Sequence, residues 1–252
     1  MRRKAHTGPS RFDVRLAVLQ HEPATGLGRF ADLLESSSVD YEIVESTHAR
    51  RRDPSAFDGI LSLGGSLAAS DPLLAPALEW IRDAVVRDVP YLGICLGGQL
   101  LAKALGARVG PGGAEAGIES IFLTDAAQHD PLFGDLPPSF DALAWHRDTF
   151  DLPRGALPLA GSVVCAYQAF RFRDAAYALQ FHPEVRSVDL IPWTGLPSNR
   201  QLLEQNGRTW DEVLDELDQA TTALDDLAAG LLERWLSLVG VTKPRTAPPV
   251  SA

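Results

Sequence analysis

Cysteine and methionine are almost missing from this chain of 252 residues, which has two of the first and one of the second. The cysteines, Cys95 and Cys165, lie in separate apolar runs, so neither a disulfide framework nor a structural zinc ladder can be built from them. No metal is expected, and a reducing cytoplasm is the expected compartment. Long apolar runs are also absent. Met1-Arg2-Arg3-Lys4 is followed by no stretch of signal-peptide length, and no segment approaches the ~20 apolar residues that span a bilayer. No membrane partner is expected. Basic residues are outnumbered, 23 Lys and Arg against 33 Asp and Glu, for a net charge of −10. A phosphate backbone is held mainly by clustered Lys and Arg, so nucleic acid is not expected as a partner either.

What is present suits a folded domain: 45% hydrophobic residues beside 22% charged ones supply a substantial core. The length allows one large α/β domain with a modest appendage but not two of full size. Residues 1–12 and the Pro-rich 241–252 read as disordered tails. The span 13–240 reads as a single domain with a helical extension from about 200 to 240.

The first hundred residues alternate between two periodicities. A buried strand is expected at 14–20 and further strands at 41–45 and 57–63, with helical patterns at 26–37 and at 73–87, the latter after Asp71-Pro72. A fourth strand begins at Tyr91. This alternation predicts a doubly wound, mostly parallel sheet. After a helix at 100–105 the texture changes to shorter strands, 121–124, 140–145, 163–172 and 175–181, which predict a small antiparallel addition. Leucines at helical spacing from 210 to 238 predict one long helix or two shorter ones.

Two motifs carry chemistry. Tyr91-Leu92-Gly93-Ile94-Cys95-Leu96-Gly97-Gly98-Gln99 reads as a strand that turns sharply at Cys95 into a helix, with small residues two before and two after the thiol. Such an elbow pushes a nucleophile out above a sheet, and the helix N-terminus favours its anionic form. The second, Gln180-Phe181-His182-Pro183-Glu184, ends an apolar strand. His182 and Glu184, two apart, can point the same way, so that the carboxylate holds the imidazole while the imidazole faces a third group. Cys165, inside an alternating strand pattern, reads as a small buried hydrophobe.

Together these motifs resemble the class I glutamine amidotransferase family, over about residues 14–185 and in the right order. Gly64-Gly65 falls at that family's oxyanion loop. Trp145-His146-Arg147-Asp148-Thr149-Phe150 and Gln168-Ala169-Phe170-Arg171 are similar to segments of its GMP-synthase-like, stand-alone branch. The resemblance implies a flavodoxin-like fold, Cys95 as nucleophile, His182 as general base and then acid, and Glu184 as its orienting partner. It places the oxyanion against the backbone amides of Gly65 and Leu96. It also implies Gly64, Gln99, His146 and Asp148 as substrate-binding residues. Gln99 could instead bond nearby backbone, and Asp148 could cap a turn while Trp145 packs in the core. Two segments depart from the branch: Glu115-Ala116-Gly117-Ile118 stands where Glu-Ile-Gly-Trp is usual, removing one aromatic near the pocket mouth, and Ser66–Ser70 differs in the loop after Gly65.

The implied reaction is hydrolysis of the γ-amide of glutamine or a γ-glutamyl compound through a cysteinyl thioester, with no cofactor. Too few residues follow Glu184 to form an ATP-binding synthetase, and no G-x-x-x-x-G-K-[ST] run is present. Three readings stay open: a free-standing γ-glutamyl hydrolase, a glutaminase subunit that feeds ammonia to a separate synthase partner, and a silent homologue kept as a binding module.

Overall fold

The computed structural model describes residues 14–37 and 39–240. The expected tails at 1–12 and 241–252 lie outside the described residues. One sheet of nine strands organises the molecule, in the order β2-β1-β3-β4-β9-β8-β7-β5-β6. Its first five strands are parallel: β2 (Asp40–Glu45), β1 (Arg15–Gln20), β3 (Gly59–Ser62), β4 (Tyr91–Ile94) and β9 (Ala176–Leu179). Strands β3, β4 and β9 are buried along their whole length, which is why they read as continuous apolar runs with no alternation. The sheet then continues antiparallel through β8 (Ala169–Phe172), β7 (Leu157–Gly161), β5 (Val109–Leu123) and β6 (Ser139–Phe150).

Alternate residues of β1 feed opposite faces, as strand geometry requires. Leu16 and Val18 pack in one core with Phe30 and Leu34 of α1 (Arg29–Ser36) and with Leu231 and Trp235 of α7 (Thr221–Val239). Ala17 and Leu19 pack in a second, against Trp80 and Ile81 of α2 (Ala75–Val86) and Leu100 and Leu101 of α3 (Leu96–Ala104). Helices on both faces of a mostly parallel sheet give the flavodoxin-like α/β class expected from the sequence. A third core joins Trp145 and Leu143 of β6 to α4 (Ser187–Leu190), α5 (Pro197–Gln205) and α6 (Trp210–Gln219).

Several boundaries differ from the pattern-based expectation. The strand expected at 121–124 is the end of the 15-residue β5, whose start is hidden by Gly110, Pro111, Gly112 and Gly113; pairing with β6 across a bulge between Pro111 and Glu115 holds that stretch in the sheet. Strand β7 is unanticipated. The run 163–172 is strand only from Ala169, because 162–168 turns back to pair β8 with β7. Helix α3 begins at Leu96, straight after Cys95 as the elbow motif predicts, and the pattern at 100–105 is only its later part. The C-terminal helices begin at Ser187, before the expected 200, while the stretch from 210 on takes the second of its two expected forms, two helices divided at Ala220.

Candidate active site

The C-terminal ends of the parallel strands converge on one cleft, the usual place for ligands in an open α/β sheet. Cys95 sits between β4 and α3 with φ +47° and ψ −106°, a conformation that L-residues rarely adopt. The neighbours make the turn possible by lacking side chains. A Cβ on Gly97 would lie 2.4 Å from the carbonyl oxygen of Ser62, and one on Gly93 would lie 2.5 Å from the carbonyl carbon of Gly97. The elbow is anchored by the Cys95 amide, which donates to Leu179 O at 2.7 Å, and by the Gly97 amide, which donates to Leu63 O at 3.1 Å. The sulfur therefore stands at the positive end of α3. Its thiol reaches Trp145 O at 3.8 Å, and Gln180 Nε2 donates to it at 3.5 Å.

His182 lies just beyond β9, where its amide donates to Leu143 O of β6 at 2.7 Å. Its Nδ1 is 2.8 Å from Glu184 Oε1, and both side chains are buried. Among the described residues its Nε2 has no hydrogen-bond partner, and the ring adjoins Cys95. Burial alone would pull the imidazole pKa down, but the Glu184 carboxylate, with the neighbouring Cys95 sulfur, outweighs it and raises the value to about 10.

Gly64 touches both groups. A Cβ there would be 3.0 Å from His182 Cε1 and 3.7 Å from Cys95 Cβ. Gly65 and Leu96 adjoin each other, since a Cβ on Gly65 would meet Leu96 Cδ2 at 2.8 Å. The loop after Gly65 is held by Glu22, whose carboxylate accepts from the Ser66 amide at 2.8 Å and from its hydroxyl at 2.6 Å.

A cavity of about 230 Å³ opens over Cys95 and His182, and Gly65, Gln99, His146 and Asp148 also line it. Gln99 does both things weighed from sequence: it lines the cavity, and its Nε2 donates to the carbonyl of Asp148 at 2.9 Å. His146 Nε2 is paired with Glu115 Oε2 at 2.8 Å, and Ser162 and Gln168 bond to the same carboxylate. Glu115, His146 and Cys165 bring potential ligand atoms within 4.8 Å of one another. Both carboxylate oxygens are engaged, however, and burial followed by the Glu115 charge pushes the Cys165 thiol up to about 12, so the group is an internal hydrogen-bonded network.

Sequence motifs missed one whole wall. Trp193, Leu196, Asn199 and Leu202 line the cavity from the segment after Glu184. The Trp193 ring meets His182 edge-on at 5.7 Å and Trp145 at 6.0 Å, while Trp145 stacks on Trp210 at 5.1 Å. Asn199 ties the wall together: its Oδ1 accepts from Trp145 Nε1 at 3.2 Å, and its Nδ2 donates to Trp193 O at 3.1 Å. Ile118, the residue that departs from the expected aromatic, packs in the third core. The available signal was that three of the five tryptophans fall at 145, 193 and 210.

An α/β sheet with a thiol on a strained strand-to-helix turn, facing a His-Glu pair from the next parallel strand, defines an enzyme-like class of site. Comparison with known proteins narrows it. The family described as glutamine amidotransferase class-I matches residues 29–189, and the chain belongs to that family. It is similar to a glutamine-hydrolyzing GMP synthase subunit of Natronomonas pharaonis, 42% identical over 176 residues, which cover 68% of this chain and 83% of that protein. The same-named protein of Haloquadratum walsbyi is 34% identical over 173 residues, covering 64% of this chain and 87% of that one. Among solved structures, a glutamine amidotransferase from Thermotoga maritima superposes with a TM-score of 0.78 at 28% identity, covering 88% of this chain and 98% of its own. No helix among the described residues is long and apolar enough to cross a membrane.

Proposed function

We propose that this chain hydrolyses the γ-amide of glutamine or of a γ-glutamyl compound through a thioester on Cys95. The observation that carries the reading is the His182 ring, bonded to Glu184 at Nδ1 and unpartnered at Nε2 beside Cys95. In this reading Cys95 Sγ attacks the γ-carbonyl carbon, and the oxyanion that develops is held by the amides of Gly65 and Leu96. His182 gives the Nε2 proton to the departing nitrogen, then takes one from the water that opens the thioester. Glu184 orients the ring and supports its charge. Gly64 keeps space beside His182, while Gln99, His146 and Asp148 bound the part of the cavity that receives the glutamyl moiety, with the Asp148 carboxylate suited to an α-ammonium group.

The similarity to proteins named as glutamine-hydrolyzing GMP synthase subunits favours a second reading, in which the ammonia passes to a synthase partner. One experiment addresses both. Purified protein is given L-glutamine and a panel of γ-glutamyl amides, and glutamate and released amine are measured beside a Cys95→Ala control. Glutamate release that depends on Cys95 supports the hydrolase. Slow glutamine turnover that rises on addition of a synthase partner supports the second reading. Release that persists in Cys95→Ala rejects the mechanism.

A further inference from the structure

Ammonia, the leaving group of glutamine, has no surface for an aromatic wall to grip. This chain nevertheless builds one beside the group that would protonate the leaving nitrogen. Trp193 packs against His182, Leu196 and Leu202 extend the same side of the cavity, and Trp145 closes it from β6. The wall is preset: Asn199 bonds to both tryptophans, and Trp210 stacks behind Trp145. Three of its members, Trp193, Leu196 and Leu202, lie beyond residue 189, where the family match ends. Chemistry at Cys95 and His182 does not require them.

We propose that this wall is a leaving-group subsite selecting γ-glutamyl amides of neutral amines that carry an aromatic or bulky apolar group, with Trp193 as its specificity-determining residue. The proposal rests on the hydrolase reading and names the substrate class for it. The reaction balances as γ-glutamyl–NH–R plus water giving glutamate and R–NH₂, the amide carbonyl being the γ-carbonyl of glutamate itself. The Sγ–C bond forms first, its electron pair displacing the carbonyl pair onto oxygen; as the carbonyl reforms the C–N bond breaks, and its electron pair goes to nitrogen, which takes the His182 proton and leaves as the free amine. Water then adds to the thioester, returns a proton to His182 and releases glutamate from the Cys95 thiolate. A cationic side group on the amine fits poorly, since Trp193, Leu196 and Leu202 would strip its hydration and offer no carboxylate in return. Burying an aromatic ring in such a wall is worth roughly 10- to 100-fold in binding.

The test compares kcat/KM for L-glutamine, L-γ-glutamyl-p-nitroanilide and the γ-glutamyl amide of 1,4-diaminobutane. The anilide is expected to exceed each of the others by about 10-fold or more. Trp193→Ala is expected to lower the anilide-to-glutamine ratio by a similar factor, and Trp193→Phe to restore most of it. Leu196→Asp, at the partly exposed rim, lowers the same ratio without relying on a core substitution. Glutamine turned over as well as the anilide, or a ratio unmoved in both Trp193→Ala and Leu196→Asp, overturns the subsite while leaving the hydrolase reading intact. Absence of Cys95-dependent glutamate from all three substrates overturns both.

Discussion

The backbone amide of Arg29 donates to the carbonyl oxygen of Glu184 at 2.7 Å, so the first turn of α1 is fastened to the acid that orients His182. The preceding residue, Gly28, permits this approach. Its φ is +50°, and a Cβ there would fall 2.0 Å from the same oxygen. The Arg29 guanidinium adds bonds to Val185 O and Asp225, clamping the segment from the other side.

Gly28→Ala is therefore expected to displace Glu184 without touching any cavity-lining group. Overpacking and positive-φ strain together cost about 1–3 kcal/mol of stability, readable by thermal denaturation. Under the proposed mechanism the activity should fall in kcat more than in KM, with the alkaline limb of the pH profile moved, because that mechanism has Glu184 act on His182 and not on substrate. Wild-type rate and profile in the folded variant would show that the contact is dispensable.

That alkaline limb has a stated position. With the His182 pKa raised to about 10, kcat/KM should hold through neutral pH and fall with a midpoint near 10 as the ring loses the proton it donates. Glu184→Gln removes a raising charge, so the midpoint should move down and the rate should drop. The stability contribution has the same sign. A folded pKa above the ordinary 6.5 stabilises fully below 6.5 and is lost as pH rises through 10.

His21 behaves in the opposite way. It is buried beside Ser62, its Nε2 3.1 Å from the hydroxyl, and burial lowers its pKa from 6.5 to about 4. The unfolded chain binds the proton more readily, so stability present above 6.5 should be lost as pH falls toward 4, by about 3 kcal/mol. His21→Gln should flatten the acid side of a plot of denaturation midpoint against pH. An unchanged slope would mean that other groups govern acid unfolding.

The two cysteines should separate by reactivity. With Cys165 pushed up to about 12 by burial and by the Glu115 charge, iodoacetamide at neutral pH should modify Cys95 and spare Cys165 in the native protein. Peptide mass mapping before and after denaturation checks this. Prior labelling of Cys165 would contradict the buried network around Glu115.

The parallel half of the fold was legible because each of its buried strands is a short apolar run bounded by turn residues, and Cys95 was legible because an elbow needs small neighbours at fixed spacing. Other parts were not. Strand β5 owes its first half to pairing with β6, a tertiary effect that overrides Gly110-Pro111-Gly112-Gly113. Trp193 lies in the short 3-10 turn Ile191–Gly195, which has no periodicity to read, and only folding brings it to His182. Motifs put Gln99 and Asp148 near the site, but the bond from the Gln99 side-chain amide to the Asp148 carbonyl is set by the packing of α3 against β6, which no local pattern encodes.

The central claim is the covalent role of Cys95, and acid-quenched mass spectrometry of the enzyme during turnover of a γ-glutamyl amide tests it most directly. A γ-glutamyl adduct on the peptide containing Cys95, absent from Cys95→Ala, is the predicted result. Steady glutamate release with no adduct on that peptide, undiminished in Cys95→Ala, would contradict it.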